Sequence, residues 1–317
     1  MLDNHPCLAI PHETNFVRPL WWQRVRFGDL RDPANRRRVA EWIFTDKGFR
    51  GGRLRDGRIS RKDAIRRVAD APPTVGSIVE ACLQLYAEGH GKPRWGDKRP
   101  SYSGSIGMLF AMFPNAQYIN LVRDPRGAVA SQISMGWDAP GVAISAATAR
   151  WEAAIRRTDH FATRLRPDQF LDLRYEDMVS DPPAALQRVC AFAGLRAGDA
   201  VETMISKRRS SLRGSYSHVA EPVTTASVER WRERLQPHEV ALVERATAPL
   251  LDRFGYRPAD DSRADVTPRD ARELARQRRF RRREWRSAQR GELLRRAVYR
   301  RPVAAVASRA PSFLDEC

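Results

Sequence analysis

Residues 95–137 read WGDKRPSYSGSIGMLFAMFPNAQYINLVRDPRGAVASQISMGW, and the fold is decided inside this stretch. Ala116 to Val122 is a short apolar-rich run, the length of one buried strand, and it ends on Arg123. Asp124-Pro125 then makes a tight turn, because proline fixes its own φ and suits the first turn of a helix. The helix that follows carries Ser131. Strand, turn, helix is the order in which a phosphate site is built, since the first N–H groups of a helix have no partner within it. An arginine fork can add two parallel hydrogen bonds to a phosphate, and a serine hydroxyl a third. The same stretch opens on Lys98, held between Asp97 and Arg99-Pro100.

Upstream, Met1 to Asn4 reads as the last turn of a helix, ended at His5 because a residue before proline is pushed out of the helical region. Leu8-Ala9-Ile10 reads as a short strand, residues 11–14 as a loop, and Phe16 to Val25 as a helix. Residues 33–70 form two helices around the loop KGFRGGR at 47–53. That loop does not match GxxxxGK[ST] and follows no strand, so it is a substrate-facing loop and not a phosphate loop. Val75, Ile78, Val79, Cys82, Leu83 and Tyr86 share one helical face. Ser101 to Phe113 is expected as one helix with Tyr102, Ile106, Leu109, Phe110 and Phe113 inward. Gly104 and Gly107 weaken it by about 1 kcal/mol each relative to alanine.

Downstream, residues 142–166 predict a long helix and Gln169 to Leu173 a second buried strand, followed by Arg174. Asp181-Pro182-Pro183 opens a helix that Gly194 stops. Val228 to Leu235 and Pro237 to Phe254 are helical, and Gly255-Tyr256 closes the globular part. Strands separated by helices predict an α/β fold, a three-layer α/β/α arrangement on a parallel sheet. Ligands bind such sheets at the carboxyl ends of strands, where Arg123 and Arg174 both stand. The expected division is a domain at 1–258 and a basic helical extension with a tail at 259–317. Residues 269–301 are almost continuously arginine-rich, with Phe280, Trp285, Leu293, Leu294 and Val298 interleaved.

The chain has 317 residues, 42% of them hydrophobic, and a formal net charge of +18. Such a surface attracts polyanions. No apolar run approaches the roughly 20 residues of a membrane helix, and the first residues have neither the basic nor the apolar region of a signal peptide. Cys7, Cys82, Cys190 and Cys317 are far apart, without CxxC or histidine partners, so neither a disulfide framework nor a metal site is expected. The pattern is compatible with the cytoplasm, and the basic extension leaves a membrane-peripheral position open.

The run LVRDPRGAVAS at 121–131 resembles the 3′-phosphate motif of sulfotransferases that use 3′-phosphoadenosine 5′-phosphosulfate (PAPS). The chain is similar to bacterial members of that family and, more distantly, to tyrosyl-protein sulfotransferases. The likeness covers about residues 1–257 in order: LDNHPCLAIPHET, WGDKRP and LDLRYEDMVSDP each resemble a family segment. The resemblance implies a P-loop-like sulfotransferase fold and transfer of a sulfuryl group from PAPS to a hydroxyl or amine. It implies that Arg123 and Ser131 bind the 3′-phosphate, that Tyr175 packs or hydrogen-bonds near the nucleotide, and that Ser215 and Arg230 touch it from the C-terminal side. Glu13 falls at the position of the catalytic base in the tyrosyl branch, and Lys98 at that of the lysine stabilising the transition state. A carboxylate can take the acceptor's proton, and a cation offsets charge on the leaving phosphate. No metal is implied.

One family feature has no counterpart here: a first strand and a glycine-containing loop like PRSGTT that cradles the 5′-phosphosulfate. The chain begins where the helix after that loop would be ending. Because Glu13, Lys98, Arg123 and Ser131 persist, the expectation is that Met1 is an internal methionine of a longer protein and not that the chain is a degenerate relative. As written, the chain is expected to bind PAPS poorly and transfer slowly. The acceptor stays open among small molecules, carbohydrates, lipids and peptide tyrosine. The alternative is a non-catalytic binder acting through residues 269–301, where interleaved arginine and aromatic residues suit an anionic membrane surface, or less favourably nucleic acid.

Overall fold

The computed structural model describes residues 1–45, 60–136, 143–206 and 223–259, with scattered residues between 268 and 282. In chain order the elements are β1 (Leu8–Ala9), α1 (Val17–Gln23), α2 (Pro33–Thr45), α3 (Arg61–Ala69), α4 (Val75–Gly89), β2 (Arg94–Trp95), α5 (Ile106–Met112) and β3 (Tyr118–Val122). Then come α6 (Pro125–Ser134), α7 (Ala143–Ala162), β4 (Phe170–Arg174), α8 (Tyr175–Ser180), α9 (Pro182–Ala193), α10 (Ala200–Ser206), α11 (Trp231–Arg234) and α12 (Pro237–Phe254). Strands alternate with helices, as the α/β expectation requires. The loop at 47–53, most of 269–301 and Cys317 lie outside the described residues.

The chain divides into two compact units. Among the described residues the first takes those of 1–118 and 186–206, and the second those of 119–185 and 223–259. In the first, β1 and β2 pair in parallel, Leu8 opposite Arg94 and Ala9 opposite Trp95. Gly96 follows, where a Cβ would stand 3.3 Å from the Ile10 side chain, so the strands' exits run close together. Around this pair, Phe16, Leu20, Val39, Ile43, Ile78, Cys82, Tyr86 and Met112 form a common core. Burying a large apolar side chain contributes about 1.5–3 kcal/mol, so this cluster outweighs the helices' own propensities. Two helix starts in it are capped in the ordinary way: Thr74 accepts from the Ser77 amide at 2.9 Å and Ser60 from the Asp63 amide at 3.1 Å.

In the second unit β3 and β4 form a separate two-stranded sheet. Asn120 donates to Asp172 at 2.7 Å, and the Asp124 amide donates to Glu176 at 3.0 Å. Both pairs are 52 residues apart, the constant offset that parallel strands give. Val122, Trp151, Ile155, Leu250, Leu251, Phe254 and Tyr256 close its core. Gly255 stops α12 in the left-handed conformation, φ 68°, that glycine adopts without a steric cost.

Three expectations change. The described strands make two small sheets, where one parallel sheet was expected. Residues 101–113 are not one helix: a 3₁₀ segment at Pro100–Gly104 is followed by Ser105 at φ −141°, and only then does α5 begin. Its buried residues are Ile106, Met108 and Met112, while Leu109 and Phe113 are half-buried against the core. Residues 228–235 shorten to the single turn of α11. The Gly104–Ser105 step costs helix continuity, and the core selects the face that fits.

Candidate active site

In the first unit two loops leave the carboxyl ends of the paired strands β1 and β2 at the same end, and each carries a charged residue singled out in the sequence. The Lys98 ammonium donates to the Glu13 carboxylate at 3.1 Å. The simple alternative, Lys98 paired with Asp97, holds only for the backbone: the Lys98 amide donates to Asp97 at 2.9 Å. Glu13 has φ 28°, a left-handed backbone unusual for glutamate. Such a conformation costs about 1–3 kcal/mol and needs surrounding structure to hold it. The ion pair does not supply enough, because Lys98 is 58% exposed and exposed pairs contribute only about 0–1 kcal/mol.

What holds the loop lies beneath. Thr14 donates to Asp97 at 2.6 Å, and the Tyr102 hydroxyl donates to the same carboxylate oxygen. Arg99 donates to the Thr14 carbonyl and to the Asn15 side chain. Burial raises the Asp97 pKa, against the hydrogen bonds from Thr14, Tyr102 and the Lys98 amide. Burial likewise pushes the Tyr102 phenol well up, with the Asp97 charge adding to it. Thr14, Asp97, Arg99 and Tyr102 were not picked out as site residues. Their signal was adjacency: each flanks Glu13 or Lys98 or follows within four residues.

In the second unit Arg123 follows β3 directly and Tyr175 follows β4. The Arg123 guanidinium lies 4.7 Å over the Tyr175 ring and donates to the Ser227 carbonyl at 2.6 Å. The Tyr175 hydroxyl is hydrogen-bonded to the Ser227 hydroxyl at 2.7 Å. The Arg123 Nε is buried and has no partner among the described residues. It also lies 3.1 Å from the position a Cβ would take on Gly127. Ser131 is four residues beyond Gly127 on α6, one turn along the same face. Arg123 and Ser131 therefore address one strip of α6, with Gly127 between them. Gly127 and Ser227 were missed, although the spacing Arg123, Gly127, Ser131 at intervals of four is legible in the sequence. Arg230 is exposed at the start of α11, and Ser215 lies outside the described residues.

The turn that aims Arg123 is fixed from below. Asp124 caps α6, accepting from the Arg126 amide at 2.8 Å, and Pro125 follows at the first helical position. Arg126 turns inward, to Asp124 at 2.6 Å and Glu244 at 2.5 Å, with Trp231 4.3 Å beneath it. Burial opposes its charge, but Asp124 and Glu244 outweigh that and its pKa is raised. Glu176, in the first turn of α8, is buried and accepts from the Asp124 amide and from Tyr256 at 2.7 Å.

Gly127→Ala tests the strip. An alanine methyl would crowd the Arg123 Nε, the movable partner, so the melting temperature is expected to hold or rise. Affinity for adenosine 3′,5′-bisphosphate is expected to fall several-fold, read by calorimetric titration.

An arginine at a strand end, followed by a capped helix start, is the arrangement in which α/β proteins present an anion site at their strand ends. Residues 1–199 match the model of the Sulfotransferase family, and the chain belongs to that family. It is 30% identical over 268 residues to protein-tyrosine sulfotransferase A of Caenorhabditis elegans, covering 81% of this chain and 63% of that protein. It is 27% identical over 169 residues to the omega-hydroxy-beta-dihydromenaquinone-9 sulfotransferase of Mycobacterium tuberculosis, covering 50% of this chain and 40% of that one. The chain spans roughly half to two thirds of the length of the tyrosine sulfotransferases it matches. The sulfotransferase domain of the Synechococcus PCC 7002 olefin synthase has the same fold, with a TM-score of 0.56 and 20% identity over 81% of this chain and 88% of that one. Among the described residues no helix is long and apolar enough to cross a membrane.

Proposed function

We propose that this chain is a PAPS-dependent sulfotransferase acting on a hydroxyl or amine acceptor. The observation that carries the reading is the Arg123 side chain: its Nε is buried and unpartnered among the described residues, its guanidinium lies 4.7 Å over the Tyr175 ring, and Ser131 stands one turn beyond Gly127 on α6. An anionic phosphate ester satisfies that nitrogen. Bound, PAPS supplies the sulfuryl group.

Arg123 and Ser131 hold the 3′-phosphate of the nucleotide. Tyr175 supports the guanidinium through a cation–π contact, and Ser215 and Arg230 add contacts to the nucleotide from the C-terminal side. Glu13 takes the proton of the acceptor hydroxyl or amine. Lys98 places its ammonium where negative charge develops on the leaving oxygen. The Glu13–Lys98 ion pair at 3.1 Å holds the base and the cation side by side before reaction. The curated relatives' names span a protein tyrosine, a carbohydrate and a menaquinone derivative, which supports an acceptor bearing a hydroxyl.

Arg123→Ala is expected to weaken binding of adenosine 3′,5′-bisphosphate at least tenfold, since hydrogen bonds to charged groups contribute about 1.5–3 kcal/mol. Calorimetric titration checks it; an unchanged dissociation constant overturns the assignment of the phosphate site.

A further inference from the structure

The Glu13–Lys98 pair poses a mechanical question. The two residues are 85 apart in sequence, Lys98 is largely exposed, and Glu13 sits in a backbone conformation that glutamate avoids. An exposed ion pair is too weak to hold that geometry by itself. Directly beneath it, the Asp97 carboxylate gathers donors from both loops: the Thr14 hydroxyl from the first, and the Tyr102 hydroxyl with the Lys98 amide from the second. The Thr14 and Tyr102 hydroxyl oxygens also lie 3.2 Å apart; with both protons given to Asp97, this third side of the ring of side chains is a close contact and not a hydrogen bond. Arg99 clamps the far side of the first loop, at the Thr14 carbonyl and the Asn15 side chain. Each of Thr14 and Asp97 is the immediate neighbour of one member of the charged pair, so the ring transmits directly to both.

We infer that Asp97 is a positioning residue: through Thr14 and Tyr102 it holds Glu13 against Lys98 in the geometry the reaction uses. The inference rests on the functional reading above for its consequence, though not for its geometry. The geometric part predicts that removing Asp97 lets Glu13 leave its strained backbone and part from Lys98. The catalytic part predicts a loss of transfer rate with no loss of nucleotide affinity, because Arg123 and not this ring binds the phosphate.

The test uses a water-soluble carbodiimide, which joins a carboxylate to an amine in contact with it, followed by mass spectrometry of the Glu13–Lys98 cross-link. It needs neither nucleotide nor acceptor. The wild-type chain is expected to give the cross-link. Asp97→Ala is expected to cut its yield at least fivefold, although it removes a competing carboxylate, and Tyr102→Phe to cut it less. Thr14→Ser, which keeps the hydroxyl, should retain it, and Thr14→Val should not. Melting curves and adenosine 3′,5′-bisphosphate affinity within twofold of wild type show that the variants are folded. Transfer from radiolabelled PAPS into a cell extract should then fall at least tenfold in Asp97→Ala. A wild-type cross-link yield in both Asp97→Ala and Tyr102→Phe overturns the inference and leaves the phosphate site standing. An unchanged transfer rate in Glu13→Gln instead removes the functional reading, whatever the cross-link does.

Discussion

Arg126→Ala is expected to lower the unfolding free energy by about 3–5 kcal/mol, the usual cost of breaking a buried ion pair from one side. The Arg126 side chain is 6% exposed and is bonded to two carboxylates nearly as deep, Asp124 and Glu244. Removing the guanidinium leaves each carboxylate buried with a backbone amide but without this cation. It also loosens Asp124, which caps α6, and takes from Trp231 one of the two guanidinium groups lying on it, leaving Arg232. Folded domains have only about 5–15 kcal/mol to lose, so a large fall in melting temperature is expected. Arg126→Lys should recover little, because an ammonium cannot bond both carboxylates through a planar fork. Urea unfolding of the three proteins measures this. A loss below about 1 kcal/mol for the alanine variant would mean that the three charges do not interlock as described.

Glu13→Gln is the second large effect. Gln keeps the shape and loses the base, and general-base groups contribute about 10²–10⁴ in rate. Transfer from labelled PAPS should fall by that factor while adenosine 3′,5′-bisphosphate binds as before. A change in affinity without a change in rate would assign Glu13 to uniform ligand binding instead. Lys98→Ala should lower the same rate without affecting the same affinity. The contrast with Arg123→Ala, where affinity falls first, separates the two groups of residues by kinetics alone.

Much of the phosphate-site edge was legible because it is local. Apolar run, arginine, Asp-Pro and helix are consecutive, and each step follows from backbone sterics and capping. Arg126 was not legible as a structural charge: in sequence it is one more arginine beside Arg123, and only its inward turn toward Glu244, 118 residues away, separates the two. Glu176 does open α8, but its role as a buried acceptor was not legible for the same reason, since its partners Asp124 and Tyr256 are remote. The expected helix over 101–113 failed because apolar spacing cannot show that Ser105 takes an extended φ.

By itself the sequence determined the alternation of strands and helices and the family likeness, and it offered Glu13, Lys98, Arg123 and Ser131 as candidates, because periodicity, turn chemistry and short motifs are properties of neighbours along the chain. Tertiary structure alone decided that Glu13 meets Lys98, that Asp97 ties their loops, and that Tyr175 and Ser227 set the Arg123 guanidinium. Those contacts join residues 52 to 104 apart. Their formation depends on parallel strands bringing distant carboxyl ends together, and no local preference encodes that.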